Sequence, residues 1–429
     1  MRKRAILSQT AAGQRWTEQF DPADQAAAAE LLDTMLLLDA EQVASAQRAA
    51  LEELVAERRG SSGLPRRKVA LYAERELAEA AAFVSELCRD RNGKRRRRAT
   101  GPTRLAPVVP RRGSARVGSE GPTAFVIAQV IERRPRRFLN HPGPGIIRKQ
   151  RPGMLAIVTD FIGSGTRVAG MLDKFWRVPS VRSWWSLGWI EFGVIAAAGS
   201  AAGIDTLRHH RTRPQVLVRH VAPTVNSAEP ALAARWRALI ENYGPAKGRG
   251  ASAWGFGNNA ALIAFSYRIP NNTPAIVHAS GGGWKALFEG PAPSEAEVAF
   301  APLTAEERMA RAAESAGVVL ADSLQVPDAR VVLLLSTIRG RLRPGSETEL
   351  AERSGLTEPE VREAKRRAIQ GGLIDSKGRL TDDGQAAVEA GLQSKRRRPV
   401  IPTNPIPYYP WSLRVLRVAP SARRLPRRP

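Results

Sequence analysis

Only one cysteine, Cys88, occurs in the 429 residues, so no internal disulfide can brace the chain, and a reducing compartment is expected. Long apolar runs are also missing. The most apolar stretch, Gly193 to Ile204, falls far short of the roughly 20 residues that a spanning helix needs, and reads as a buried strand and turn. The opening residues, MRKRAILSQT, are basic but carry no apolar segment of signal-peptide length. These absences argue against export and membrane partners and for a cytoplasmic location. His209, His210 and His220 lack the cysteines or carboxylates at ligand spacing that a metal site requires, so no metal site is expected. Neither a nucleophile elbow nor an HExxH pattern is present. Trp184, Trp185 and Trp189 recur at helical spacing and read first as core.

What is abundant is positive charge, with a net +25. Its placement matters more than its sum. Between Arg89 and Arg116 stand 11 basic residues and one acid, and from Lys395 onward 10 basic residues and no acid. Both segments are rich in Pro, Gly and Arg and poor in periodic apolar residues, which predicts flexible polycationic segments with affinity for DNA or another polyanion. A charge-bearing solvated tail is the plainer alternative.

The length allows two or three domains. Apolar residues near helical spacing, Leu31 to Leu38, together with a helix over Val43 to Val55, predict a helical N-terminal region, residues 1–63. Val69 to Tyr72 reads as a short strand, followed by a helix through Cys88 and then a flexible basic insertion near 89–116. From Val117 to Phe300 short apolar runs alternate with helical patterns, the rhythm of an α/β fold with a parallel sheet and helices on both faces. Residues 64–300 are therefore read as one domain, with strands at Leu155–Val158, Phe192–Ala198, Val216–Val221 and Ala261–Phe265. Residues 326–392 follow the order of a winged helix-turn-helix, and 393–429 form a basic Pro/Arg-rich tail.

The most informative stretch is Leu155-Ala-Ile-Val-Thr159-Asp160-Phe-Ile-Gly163-Ser164-Gly165-Thr166-Arg167. It reads as a buried strand ending in an acid, a small hydroxyl-rich loop, and a helix. Gly163 and Gly165 let backbone approach an anion closely, Ser164 and Thr166 add hydroxyl donors, and the helix directs its N-terminus to the same place. Asp160, at the carboxyl end of its strand, is placed to accept hydrogen bonds from ribose hydroxyls.

This stretch resembles the signature of the phosphoribosyltransferases, and Asp160-Phe-Ile-Gly-Ser-Gly165 looks like the PRTase-CE family of bacterial conflict systems. Trp16 to Phe20, Leu31-Leu32-Asp33, Gly118-Ser119-Glu120-Gly121 and Pro270-Asn271-Asn272-Thr273-Pro274 extend the likeness over roughly residues 15 to 290. The resemblance implies a phosphoribosyltransferase-like fold that binds phosphoribosyl pyrophosphate (PRPP) or a nucleotide, usually with Mg2+. It places the ribose hydroxyls on Asp160 and the 5-phosphate on Ser164, Gly165 and Thr166, and it implies pentosyl transfer if the site is active. Thr159 replaces the first acid of the family pair and cannot supply its charge. Arg167 either adds a cation to the phosphate site or points to solvent.

Two further loops compete for a role. Ser119 and Glu120 fit a second anion-binding turn, although Glu120 equally suits an acid at the start of a helix. Asn271 and Asn272 could read a base through their amides, while Pro-Asn-Asn-Thr-Pro is also an ordinary turn. In the winged helix, Arg362, Lys365 and Arg366 group on the presumed recognition helix from Thr357 to Gln370. DNA contact and a protein-protein surface both fit. The leading expectation is a sensor or effector binding a phosphorylated ribose, the alternative a ligand-sensing DNA-binding regulator. Self-association is open.

Overall fold

The computed structural model describes residues 6–60, 67–75, 83–89, 92–106, 120–245, 253–288 and, with short breaks, 299–392. Its centre is a parallel sheet of strands β2 (Val69–Ala73), β5 (Phe138–Asn140), β6 (Met154–Ile162), β7 (Glu191–Ser200) and β8 (Gln215–Ala222), in the order β5-β2-β6-β7-β8. All five residues of β2 and eight of the nine in β6 are buried, because the sheet is covered on both faces and alternation has no solvent side to serve.

On one face lie α3 (Ala40–Gly60) and α4 (Glu120–Arg133), which pack Leu51, Leu54, Val126 and Ile127 against Leu71, Val158 and Ile195. The other face carries α6 (Thr166–Trp176) and α8 (Ala201–Arg208), where Leu172, Phe175, Ile204 and Leu207 meet Tyr72, Ile157 and Val194. Successive residues of β2 thus supply opposite layers, as a period of two requires. The chain runs outward from β2 to β5 and then returns to β6 on the other side of β2, so strand order reverses between β2 and β6. Open α/β sheets bind ligands at the carboxyl ends of strands at such a reversal.

A second core unites the N-terminal helices α1 (Ala11–Thr17) and α2 (Gln25–Thr34) with α9 (Pro230–Asn242) and α10 (Ala275–His278). Trp16 and Trp236 are buried there, and each indole N–H donates to a backbone carbonyl, of Ile276 and Ala27 respectively. The helical pattern expected through Leu38 stops at Thr34. Leu36–Leu38 is β1, paired in parallel with β9 (Ile263–Phe265). Ala261–Phe265 therefore does not join the main sheet, and the N-terminal residues pack as part of the α/β domain.

Two sequence-based expectations fail between β2 and α4. The helix through Cys88 is instead strand β3 (Val84–Arg89), and the basic segment expected to be flexible begins with strand β4 (Arg95–Thr100). The two form an antiparallel ribbon. Cross-strand backbone hydrogen bonds order an arginine-rich chain that composition alone assigns to coil. Residues 107–119 of that segment and the tail 393–429 lie outside the described residues.

Behind the α/β domain come α11 (Val326–Ile338), α12 (Glu347–Ser354), α13 (Glu358–Gln370) and α14 (Asp382–Gly391). Ser346 caps α12, and Gly355 ends it at φ 68. Thr357 and Glu360 form a capping box that starts α13. A single antiparallel bridge, Ile374 to Leu380, marks a short wing. No helix among the described residues is long and apolar enough to cross a membrane.

Candidate functional site

Strand β6 ends beside β2, and each carries an acid at or just beyond its carboxyl end. Glu74 follows β2, its N–H donating to Val158 O at 2.7 Å. Glu74 is 4% exposed, Asp160 is 3% exposed, and Thr159 lies between them at 2%. The Thr159 hydroxyl stands 3.4 Å from Glu74 Oε2 and 3.5 Å from Asp160 Oδ1, long contacts of which it can donate to only one at a time. Two carboxylates thus share the strand ends at the sheet's reversal. Thr159 sits between an acid of its own strand and one that follows the neighbouring strand.

Buried charge has to be compensated, and two arginines do so. Arg167 Nε lies 2.9 Å from Glu74 Oε1, and Arg268 Nη2 lies 2.8 Å from Asp160 Oδ2. The Tyr267 hydroxyl donates to the same Asp160 oxygen at 3.2 Å. Burial, with the Asp160 charge beside it, pushes the Tyr267 phenol far above its ordinary range. For Arg268 burial opposes the charged form, but Asp160 and, more weakly, Glu74 outweigh it and raise the pKa. Gln47 of α3 holds the strand end from below, donating to Thr159 O at 2.9 Å and to Thr123 Oγ1 at 3.1 Å.

Behind β2 lies His141, buried and at φ 46. Its Nε2 accepts the Ala73 N–H at 2.8 Å, which fixes the backbone one residue before Glu74. Burial, reinforced by the Arg75 charge, pulls its pKa down to about 4. The neutral imidazole is therefore the one that can accept this hydrogen bond.

The loop after β6 is held from both sides. A Cβ on Gly163 would fall 2.1 Å from Asn272 Oδ1, and Gly165 has φ +79 with its Cβ direction 2.9 Å from Gly203 O. Ser200 Oγ donates to Gly163 O at 2.7 Å, and Asn259 Nδ2 donates to Ser200 Oγ at 2.9 Å. Ser164 is half-buried, and Thr166 and Arg167 are exposed. The hydroxyls of Ser164 and Thr166 lie 2.9 Å apart at the start of the 11-residue helix α6. Such a loop can present backbone N–H groups, two hydroxyls and a helix N-terminus to an anion.

The sequence-predicted residues divide accordingly. Thr159, Asp160, Gly163, Ser164, Gly165, Thr166 and Arg167 lie together at the end of β6. Arg167 turns to Glu74 rather than standing as an isolated cation. Asn272 is buried against Gly163, and its Nδ2 donates to Phe256 O at 2.8 Å, so its amide supports the loop, while Asn271 is exposed. Ser119 and the Glu120 side chain lie outside the described residues. Sequence reasoning missed Glu74 and Arg268. The signal for Glu74 was available, because Val69-Ala-Leu-Tyr-Ala-Glu74 repeats the apolar-strand-then-acid pattern of β6.

The winged-helix arginines are engaged within the protein. Arg362 pairs with Glu53 of α3, and Arg366 with Glu363 of its own helix. Lys365 is half-exposed. Arg208, the last residue of α8, reaches Glu358 at 3.2 Å and also bonds Thr348. A cavity of about 420 Å³ lies between α3, β8 and the start of α13, lined by Gln42, Arg219, Arg330 and Glu360 among others. No group of three or more metal-ligating side chains occurs among the described residues.

No curated protein and no solved structure matches the chain. A family model described as wHTH-PRTase associated matches residues 332–415, from within α11 through α14 and beyond. The PRTase-CE model matches residues 14–289, which take in the main sheet, the β6 loop and the helices around them. By that match over more than half its length, this chain belongs to the PRTase-CE family, with a winged helix of the PRTase-associated type behind its phosphoribosyltransferase-like domain.

Proposed function

We propose that the domain captures a phosphorylated ribose, as PRPP or a nucleotide, and acts as a sensor or effector in a bacterial conflict system. The carrying observation is the meeting of Glu74, Thr159 and Asp160 at the strand reversal with the Ser164–Thr166 loop at the start of α6. The phosphate takes the loop, and the ribose hydroxyls take the carboxylates. The family likeness supports the ligand class, and the role in conflict rests on that likeness.

Carboxylates at this place also suit stabilisation of an oxocarbenium-like centre in pentosyl transfer. Arg167 and Arg268, however, already offset both negative charges. We therefore favour capture over turnover. The same pairing bears on magnesium: the oxygen donors are of the kind a hard cation takes, but a guanidinium already bonds one oxygen of each carboxylate and offsets its charge, so the acids as arranged do not favour a resident Mg2+ ion.

Calorimetry with PRPP and nucleoside monophosphates, with Mg2+ and then with EDTA, tests the reading. Binding should persist in EDTA, and Asp160→Asn should weaken it by about 1.5 to 3 kcal/mol, the range for hydrogen bonds to charged groups. Pyrophosphate release from PRPP that disappears in Asp160→Asn would establish a transferase instead. An Asp160→Asn protein that binds as tightly as wild type would remove the ribose assignment.

A further inference from the structure

The arginine-rich ribbon of β3 and β4 has no part in the site described above. It is rooted in the body of the domain. Ala99 is fully buried, its N–H donates to Ser180 Oγ at 3.0 Å, and its carbonyl accepts from Arg148 at 2.6 Å. Phe83, just before β3, is buried against Phe175 of α6 at 5.1 Å between ring centroids. Beyond this root the ribbon stands in solvent, with Arg95, Arg96, Arg97 and Arg98 all exposed and Leu87 59% exposed.

Side chains alternate across a strand, so Arg95 and Arg97 project from one face of the ribbon and Arg96 and Arg98 from the other. The register sets Arg97 opposite Leu87, Arg98 opposite Glu86 and Arg95 opposite Arg89. Like charges directly opposite each other destabilise a ribbon, a cost that a bound polyanion relieves. Charged side chains on a free edge guard it against aggregation, and here four arginines run in sequence.

We propose that this ribbon enters the major groove of B-form DNA. That groove, about 12 Å wide, admits a two-stranded β-ribbon. Six residues per strand extend it by about 20 Å at roughly 3.4 Å per residue. Arginines on its two faces then meet the phosphates of the two groove walls. The deep, narrow major groove of A-form RNA excludes the same ribbon, so the geometry selects DNA over double-stranded RNA.

The test is fluorescence anisotropy of the full chain with a duplex DNA and a duplex RNA of one sequence, over a salt series. Arg95→Gln/Arg97→Gln/Arg98→Gln is compared with the tail control Arg396→Gln/Arg397→Gln/Arg398→Gln. The ribbon variant should bind DNA at least about tenfold more weakly at moderate salt, with a log–log salt slope shallower by about 2 to 3, close to one unit per lost phosphate contact. It should also lose the preference for DNA over RNA, which the tail variant keeps. Arg97→Gln alone, with an expected loss of about one unit of slope, replaces the triple variant if circular dichroism shows that the triple does not fold. Equal wild-type affinity for the two duplexes, or an unchanged slope in the ribbon variant, would overturn the proposal.

Discussion

At the residue scale, Thr159 lies between two buried carboxylates rather than carrying one itself. Glu74 stands beside it from one strand away, an acid that no motif confined to residues 159–167 contains. Asp160 and the loop were legible because strand, acid, glycines and helix follow one another in sequence. Glu74 was not, because its relevance comes from the β2–β6 register, which pairs Ala73 with Val158. The glycines carry a different lesson. Gly165→Val meets both an unfavourable positive φ, which costs roughly 1–2 kcal/mol, and the Gly203 carbonyl. It should therefore lower the melting temperature as well as ligand affinity, measured by calorimetric unfolding, and an unchanged melting temperature would show that the loop is looser than described.

His141 gives a pH dependence of known sign. Its folded pKa of about 4 lies below the ordinary 6.5, so the unfolded chain takes up the proton first as pH falls. The stabilisation is complete above about pH 6.5 and is lost as pH drops toward 4, amounting to about 3 kcal/mol. Urea unfolding of wild type and His141→Gln across this window checks it. The variant should lack that part of the slope, and parallel pH profiles would contradict it.

Among the elements, α8 and α13 place the winged helix in a position its sequence did not announce. Helix boundaries, caps and wing were readable from Ser346, Gly355, Thr357 and the glycines near 371–378. What covers the helix was not, because it depends on contacts with Glu53 and Arg208, far away in sequence. Winged helices present the first turns of the recognition helix to DNA. Here those turns carry Glu358, 1% exposed, and Arg362, paired with Glu53. DNA reading by Arg362 therefore requires this contact to open, whereas Lys365 is half-exposed and Arg366 exposed. Arg208→Ala leaves the buried Glu358 carboxylate without its cation; with Arg208 itself half-buried, the loss is about 1–3 kcal/mol. Hydrogen exchange should show α12 and α13 losing protection while β6 and β7 keep theirs. Equal protection in all four would mean that the ion pair does not hold the two parts together.

For the whole molecule, the charge count separates two basic regions that composition treats alike. One begins with an ordered ribbon, and the other is the segment from Lys395 onward, with 10 basic residues and no acid. Deleting residues 395–429 should weaken binding to random-sequence duplex and reduce its salt dependence through fewer released counterions. Unchanged affinity would leave the tail without that role. The parallel sheet and the loop were recoverable from hydrophobic runs because local pattern dictates them, whereas the strand reversal between β2 and β6 comes from pairings that no single run contains. The β1–β9 pairing and the second core join residues more than 200 positions apart, and no local pattern announces that. The central claim is that the Ser164–Thr166 loop with Asp160 and Glu74 holds a phosphorylated ribose. Its most direct test is calorimetric titration of PRPP and nucleoside monophosphates into wild type and Ser164→Ala/Thr166→Ala, whose hydroxyls can be removed without touching the buried glycines. The account predicts binding by wild type and at least about tenfold weaker binding by a variant of unchanged melting temperature, as the loss of two hydrogen bonds to a charged group implies. Equal affinity in the two proteins, or no binding of any of these ligands by wild type, would contradict it.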